Sequence, residues 1–138
     1  MATVLDLLRK VQSFNVIEAA GKAMEENKKP LLDINRAQLY DEGIGYDGQP
    51  LPPYSANYAK RKPSRGIVDI YKTGLLQKEM ELFVDNDKYI ITSYAEYTPY
   101  VHNRRPTIFG FTEDGKREAW FIIRPSFIGE FKAHTGLK

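Results

Sequence analysis

Between Gly43 and Pro53 the chain carries Gly or Pro at almost every second position: Gly43, Gly45, Gly48, Pro50, Pro52 and Pro53. Proline fixes φ and removes a backbone donor, and glycine raises the entropic cost of a regular element, so this stretch predicts a loop. It divides the 138-residue chain into a part that reads as helix and a part that reads mostly as sheet with a closing helix. The distinctive composition runs on from Tyr46 to Gly74, which holds four of the eight prolines and the tyrosines Tyr46, Tyr54, Tyr58 and Tyr71. The same stretch has a basic cluster at Lys60, Arg61, Lys62 and Arg65, with no acidic residue between Asp47 and Asp69.

Ahead of the loop, Thr3 is placed to cap a first helix with Asp6 in a capping-box position, and Val4, Leu7, Leu8 and Val11 follow one-face helical spacing. Asn15 offers a second cap, and Val16, Ala19, Ala20, Ala23 and Met24 continue a helical face, with Gly21 open to a close neighbour. Pro30 suits the first turn of a third helix, LLDINRAQLYDEG, whose core side is expected to hold Leu31, Ile34, Ala37 and Leu39 and whose stop is Gly43.

Past the loop, Ser55 can cap a short helix, SANYAKRK, that Pro63 closes, and Ile67–Tyr71 is a short apolar run. LLQKEM reads as a helical turn or as a direct lead into sheet. MELFVDNDKYIITSY is the clearest hairpin: Leu82 and Val84 alternate with Glu81, Phe83 and Asp85, and Asp85-Asn86-Asp87 supplies the turn. AEYTPYVH can be a helix or a strand, and TIFGF (Thr107–Phe111) has strand-like composition. Thr112, followed by Glu113 and Asp114, caps a last helix bearing Trp120, Ile123, Phe127 and Phe131 on one face. Pro125 is expected to kink or split that helix, and AWFIIRP is open to a strand reading as well.

The fold class that follows is α+β: N-terminal helices, an extended Pro/Gly loop, a central antiparallel sheet with a hairpin and a C-terminal helix. Residues 1–138 form a single domain, divided into 1–42 (helical), 43–66 (extended loop with a short helix) and 67–138 (sheet and closing helix). A net charge of +2 is too small to point to nucleic acid or membrane by itself. The charged start MATVLDLLRK does not resemble a signal peptide, and no stretch approaches the roughly 20 apolar residues of a membrane span.

No catalytic signature stands out, and neither a catalytic nor a cofactor residue is assigned. Cysteine is absent, which removes disulfides, thiolate zinc ligands and a thiol nucleophile. His102 and His134 lie outside any metal-binding spacing, and Asp41, Glu42 and Asp47 lack the calcium-loop rhythm. The expectation is a non-enzymatic binding or assembly protein without metal or cofactor. Its contact residues are Tyr54, Tyr58, Lys60, Arg61, Lys62 and Arg65, with Arg104 and Arg105 at a loop tip. Tyrosine and arginine anchor interfaces well, and a proline-stiffened loop loses less entropy on docking. The same cluster could meet phosphates and stack on bases, which makes a small nucleic-acid-binding module the alternative.

The order of signals from Asn35 to Thr112 resembles small proteins of tailed-phage structural modules: head–tail connector, neck and tail-completion (virion morphogenesis, minor structural) proteins. The shared pattern places Gly48, Leu51, Tyr54, Ser55, Tyr58 and Lys62 in a loop, then Lys72, Thr73, Gly74 and Leu75, then a hairpin. Tyr97, Tyr100 and Val101 follow, and Ile108–Thr112 closes the series. Where many relatives carry a loop tryptophan this chain has Pro52 and Pro53, and Lys72 stands where many keep an aspartate. The resemblance implies a virion protein, made in the bacterial host cytoplasm, that forms a homo-oligomeric ring. Its partners would be copies of itself and neighbouring portal, connector or tail proteins, with passing contact to DNA in the channel and none to membrane.

Overall fold

A computed structural model describes residues 3–52 and 75–137. Among these residues the architecture is mixed: three N-terminal helices, one antiparallel hairpin with a short helix on either side of it, and a long C-terminal helix. Tyr54, Tyr58, Lys60, Arg61, Lys62 and Arg65, together with the helix SANYAKRK and the run Ile67–Tyr71, lie outside the described residues.

Helix α1 (Val4–Gln12) begins in a full capping box, the Thr3 hydroxyl accepting from the Asp6 amide at 3.1 Å and the Asp6 carboxylate accepting from the Thr3 amide at 3.2 Å. Asn15 caps α2 (Val16–Glu26) by accepting from the Glu18 amide. Helix α3 (Lys28–Ala37) continues into a π-helical turn, Gln38–Glu42, and Gly43 ends it in the left-handed region at φ 66°. Of the expected core positions, Leu31, Ile34 and Leu39 are buried, whereas Ala37 faces out. The polar Asn35 and Gln38 are buried on the inner side instead.

Helix α4 (Leu75–Lys78) is a single turn that leads into β1 (Met80–Asp85), and β2 (Lys88–Ser93) returns antiparallel to it. Asn86 adopts φ 54° in the two-residue turn, a conformation asparagine tolerates better than most residues. Leu82 and Ile91 point inward and are buried, while their neighbours Phe83 and Ile90 point outward. Helix α5 (Thr98–Arg104) takes the segment left open between helix and strand.

Helix α6 (Glu113–Thr135) starts with the Thr112 hydroxyl accepting from the Gly115 amide at 3.0 Å, and it includes the whole Ala119–Pro125 segment. The expected break at Pro125 is absent: the helix runs on for a further two to three turns. Proline deletes one i→i−4 bond, and here the carbonyl it orphans belongs to the exposed Phe121, where water can satisfy it. Phe127 and Phe131, beyond the proline, are held edge-on by Phe14 at 5.9 and 5.1 Å.

The hydrophobic interior has two centres. The larger joins Leu31, Leu32 and Ile34 of α3 to Met80, Leu82 and Ile91 of the hairpin, Phe111, and Ala119 of α6. Gly21 lets α2 come close to β1, since a Cβ there would lie 3.0 Å from Val84 Cγ1. The smaller centre gathers Leu39, Leu51, Leu76, Ala95 and Ile108, and Phe109 packs against both.

Thr107–Phe111 is not a strand; the chain bends there. Its backbone is nevertheless bonded like a strand edge, by side chains rather than by a neighbouring strand. Asn35 Nδ2 donates to the Ile108 carbonyl at 2.9 Å, and the Gly110 amide donates to Asn35 Oδ1 at 3.0 Å. Gln38 Nε2 donates to the Gly110 carbonyl at 2.9 Å, and the Thr112 amide donates to Gln38 Oε1 at 3.0 Å. The polar backbone groups of this bend are therefore satisfied without a strand ladder.

Candidate assembly surface

The loop that dominates the sequence is tightly held on its described side. Ile44 bridges Pro50, the Gly45 amide donates to the Gln49 carbonyl, and the Leu51 amide donates to the Gly43 carbonyl, so Gly43–Leu51 is a small closed turn. The Asp47 carboxylate accepts a local turn bond from the Gln49 amide at 3.0 Å. The Tyr46 amide donates to the Thr107 carbonyl at 2.8 Å. A Cβ on Gly45 would fall 2.1 Å from Thr107 Oγ1, so only glycine permits this approach.

The chain leaves the described region just after Leu51 and re-enters at Leu75, and Leu51 and Leu76 lie in one cluster. Re-entry is pinned from three directions. The Leu76 amide donates to the Tyr97 hydroxyl at 2.9 Å, the Ser93 hydroxyl donates to the Leu76 carbonyl at 2.8 Å, and Arg36 Nε donates to the Gln77 carbonyl at 3.0 Å. Leu51 and Leu76, on either side of residues 53–74, are thus both fixed in the smaller core.

Arg104 and Arg105 close α5 on the same side of the sequence signal, but they have different surroundings. Arg104 is exposed and lies over the Tyr100 ring, 4.6 Å from its centroid. Arg105 is half-buried, and its amide donates to the Val101 carbonyl. His102 stacks on Phe109 at 5.8 Å, which makes it a packing residue beside the smaller core.

Larger uncovered surfaces lie elsewhere. Helix α1 is amphipathic yet buries none of its residues: Val4 is 76% exposed, Leu5 56% and Leu8 51%. Val16 and Ile17 extend that surface into α2, and Trp120, Phe121 and Ile128 are exposed along α6. On the outward side of the hairpin Phe83 and Ile90 pair directly, Tyr94 meets Phe83 edge-on at 6.3 Å, and Lys28 rests above the Phe83 ring. Isolated exposed apolar residues are ordinary, but clusters of this kind mark contact surfaces. Apolar residues at the outward places of the hairpin were visible in the alternation, whereas the exposure of α1 was not.

His134 sits against the end of α1, its Nε2 2.8 Å from Ser13 Oγ. The Ser13 hydroxyl donates to the Lys10 carbonyl at 2.9 Å, so its proton is committed to the end of the helix and the imidazole supplies the donor in the pair. This contact, with the Phe14 ring against His134, docks α1 on α6 beside a shallow cavity of about 160 Å³. No group of three or more His, Asp or Glu side chains suited to a metal occurs among the described residues. Among the same residues, no helix is long and apolar enough to cross a membrane.

Tyr89 stands on the inward side of the hairpin with its ring 5.5 Å from that of Phe111. Burial raises its pKa above the ordinary phenol value, and nearby Lys116 opposes that shift. Compared with family models, curated proteins and solved structures, the chain matches none.

Proposed function

We propose that this protein is a structural subunit of a tailed-phage virion, forming part of the head–tail connector or neck, or completing the tail, through ring-like homo-oligomeric assembly. The single observation that supports this best is α1, an amphipathic helix whose apolar residues Val4, Leu5, Leu8 and Val11 stay exposed among the described residues. An amphipathic face stabilises a helix only when something covers it, and a nine-residue helix is marginal in water without such packing. A heterologous contact whose rotation closes generates a ring, and it needs two different surfaces on each copy. Helix α1 and the outward hairpin face are two such surfaces. The ordered series from Gly48 to Thr112 supplies the phage context by resemblance, with portal, connector or tail proteins as the neighbours.

Native mass measurement of the purified protein, alone and mixed with portal and tail proteins of the same phage, tests this. A ring-sized particle, or incorporation into the junction, is expected. A stable monomer that joins neither and binds DNA with a steep salt dependence through Lys60, Arg61 and Lys62 would replace it with the nucleic-acid alternative.

A further inference from the structure

The hairpin is the whole sheet among the described residues, so both of its strands are edges. Asp85 and Lys88 flank the two-residue turn as a hydrogen-bonded pair, and bonding alternates from there. Phe83 with Ile90 and Glu81 with Thr92 exchange bonds, and the Tyr94 amide donating to the Glu79 carbonyl continues the rhythm. The amides of Leu82 and Val84 on β1, and of Tyr89 and Ile91 on β2, therefore point away from the hairpin. Among the described residues no hydrogen bond reaches the Tyr89 or Ile91 amide. The Leu82 amide is met only by the Glu81 carboxylate, at 3.2 Å.

Rows of unpaired backbone groups invite another strand, and proteins normally blunt such edges. We propose that the β2 edge of one copy pairs antiparallel with the β1 edge of the next, so that hairpins join head to tail into a sheet that crosses subunits. This rests on the ring assignment and names one of its contacts. The register follows from three constraints. Inward residues must stay inward, since a one-residue slip would turn Leu82 and Ile91 to solvent. Outward-pointing amides must face outward-pointing carbonyls, which pairs Ile91 with Leu82 and Tyr89 with Val84 of the neighbour. Full overlap of the six-residue strands then sets Ile90 beside Phe83 and Lys88 beside Asp85 across the interface.

Charge selects this arrangement over the symmetric ones. Pairing β1 with β1 would bring together strands whose outward side carries the acids Glu81 and Asp85. Pairing β2 with β2 in a phase its free amides allow would set Ile90 against Ile90 and Lys88 against Thr92, leaving Lys88 without an acidic partner. The head-to-tail contact instead repeats between copies the register already present within the hairpin, Phe83 opposite Ile90 and the acidic Asp85 opposite the basic Lys88, and such cross-strand pairs are the unit of sheet stabilisation. In the new pairing Ile90 and Phe83 form a non-hydrogen-bonded pair, the type with the closer side chains.

The natural absence of cysteine gives a direct test. One chain carries Phe83→Cys and another Ile90→Cys; each then has a single thiol, so any disulfide joins two chains. Both sites are exposed, at 41% and 54%, and both substitutions leave the inward face intact. The two full-length variants are mixed with the portal protein, oxidised mildly and run on a non-reducing gel beside each variant alone, with particle mass measured in parallel. A covalent dimer in the mixture and its loss in either variant alone is the expected result. Dimers from Ile90→Cys alone, at a level equal to the mixture, would overturn the head-to-tail contact in favour of a two-fold one. Ring-sized particles without any disulfide would overturn this contact and leave the ring assignment standing. Monomers without disulfide would remove both.

Discussion

The Asn35 side chain accepts the Gly110 amide at 3.0 Å while giving its own N–H to the Ile108 carbonyl at 2.9 Å, so one buried amide satisfies two backbone groups of a bent segment. Gln38, three residues along the same helix, repeats the device on Gly110 and Thr112. Together the two residues bind the seam between the larger and smaller cores.

Asn35→Leu keeps volume but leaves the Ile108 carbonyl and Gly110 amide without their partner at a buried position. Each buried orphan costs about 1–3 kcal/mol, so a loss of roughly 2–5 kcal/mol is expected. Urea unfolding followed by circular dichroism measures it. A change below about 1 kcal/mol would mean that water replaces the side chain.

Two glycines separate close approach from helix entropy. Gly45→Ala would press its Cβ against Thr107, 2.1 Å from Oγ1 and 2.6 Å from Cβ, and should destabilise by about 1–3 kcal/mol. Gly129→Ala meets nothing within 4 Å and lies inside α6, so it should stabilise by about 0.5–1 kcal/mol. Opposite shifts in thermal midpoint check the pair.

Pro125→Ala restores an amide donor to the carbonyl of Phe121 within an unbroken helix. The expected gain is about 1–3 kcal/mol, since proline is the least favourable residue in a helix interior. An unchanged or lower midpoint would show that the proline ring contributes packing that offsets its missing donor.

Alkaline pH should weaken the fold through Tyr89. Its folded-state pKa is raised above the ordinary 10.0, mainly by burial, so the native state holds the phenol proton more tightly than the unfolded chain. That contribution is complete below about pH 10 and is lost as pH rises through the folded-state value. Lys116, raised mainly by its hydrogen bond from Nζ to Glu113, titrates with the same sign. Tyr89→Phe isolates the phenol: stability measured from pH 8 to 11 should fall less steeply in the variant than in the parent.

The helices and hairpin were legible because each carries a local cause: the Thr3 and Asn15 caps, the Gly43 stop, the alternation around Leu82 and Ile91, and the Asn86 turn. Thr107–Phe111 misled because its partners are the side chains of Asn35 and Gln38, more than 60 residues away, and no local period reports them. Ala37 reads as a core position by its distance from Ile34, but the buried face runs through Leu31, Ile34, Asn35, Gln38 and Leu39 at ordinary helical spacing, which leaves Ala37 on the outer side. Pro125 suggested a break because sequence does not show that Phe121 is solvent-facing. Of the expected contact residues, Arg104 and Arg105 fall beside the smaller core, and the other six lie outside the described residues. Spacing marked α1 as amphipathic but could not tell a covered face from an open one.

The Asn35–Gln38 clamp has a kinetic consequence. Gly110 and Thr112 belong to no strand, yet their amides are tied to the buried side chains of Asn35 and Gln38, and Phe109, next to Gly110, touches both cores. Releasing either amide to solvent requires the two cores to part. Native-state hydrogen exchange should therefore place Gly110 and Thr112 among the slowest amides, opening with the whole molecule, while an ordinary bend would exchange by local fluctuation.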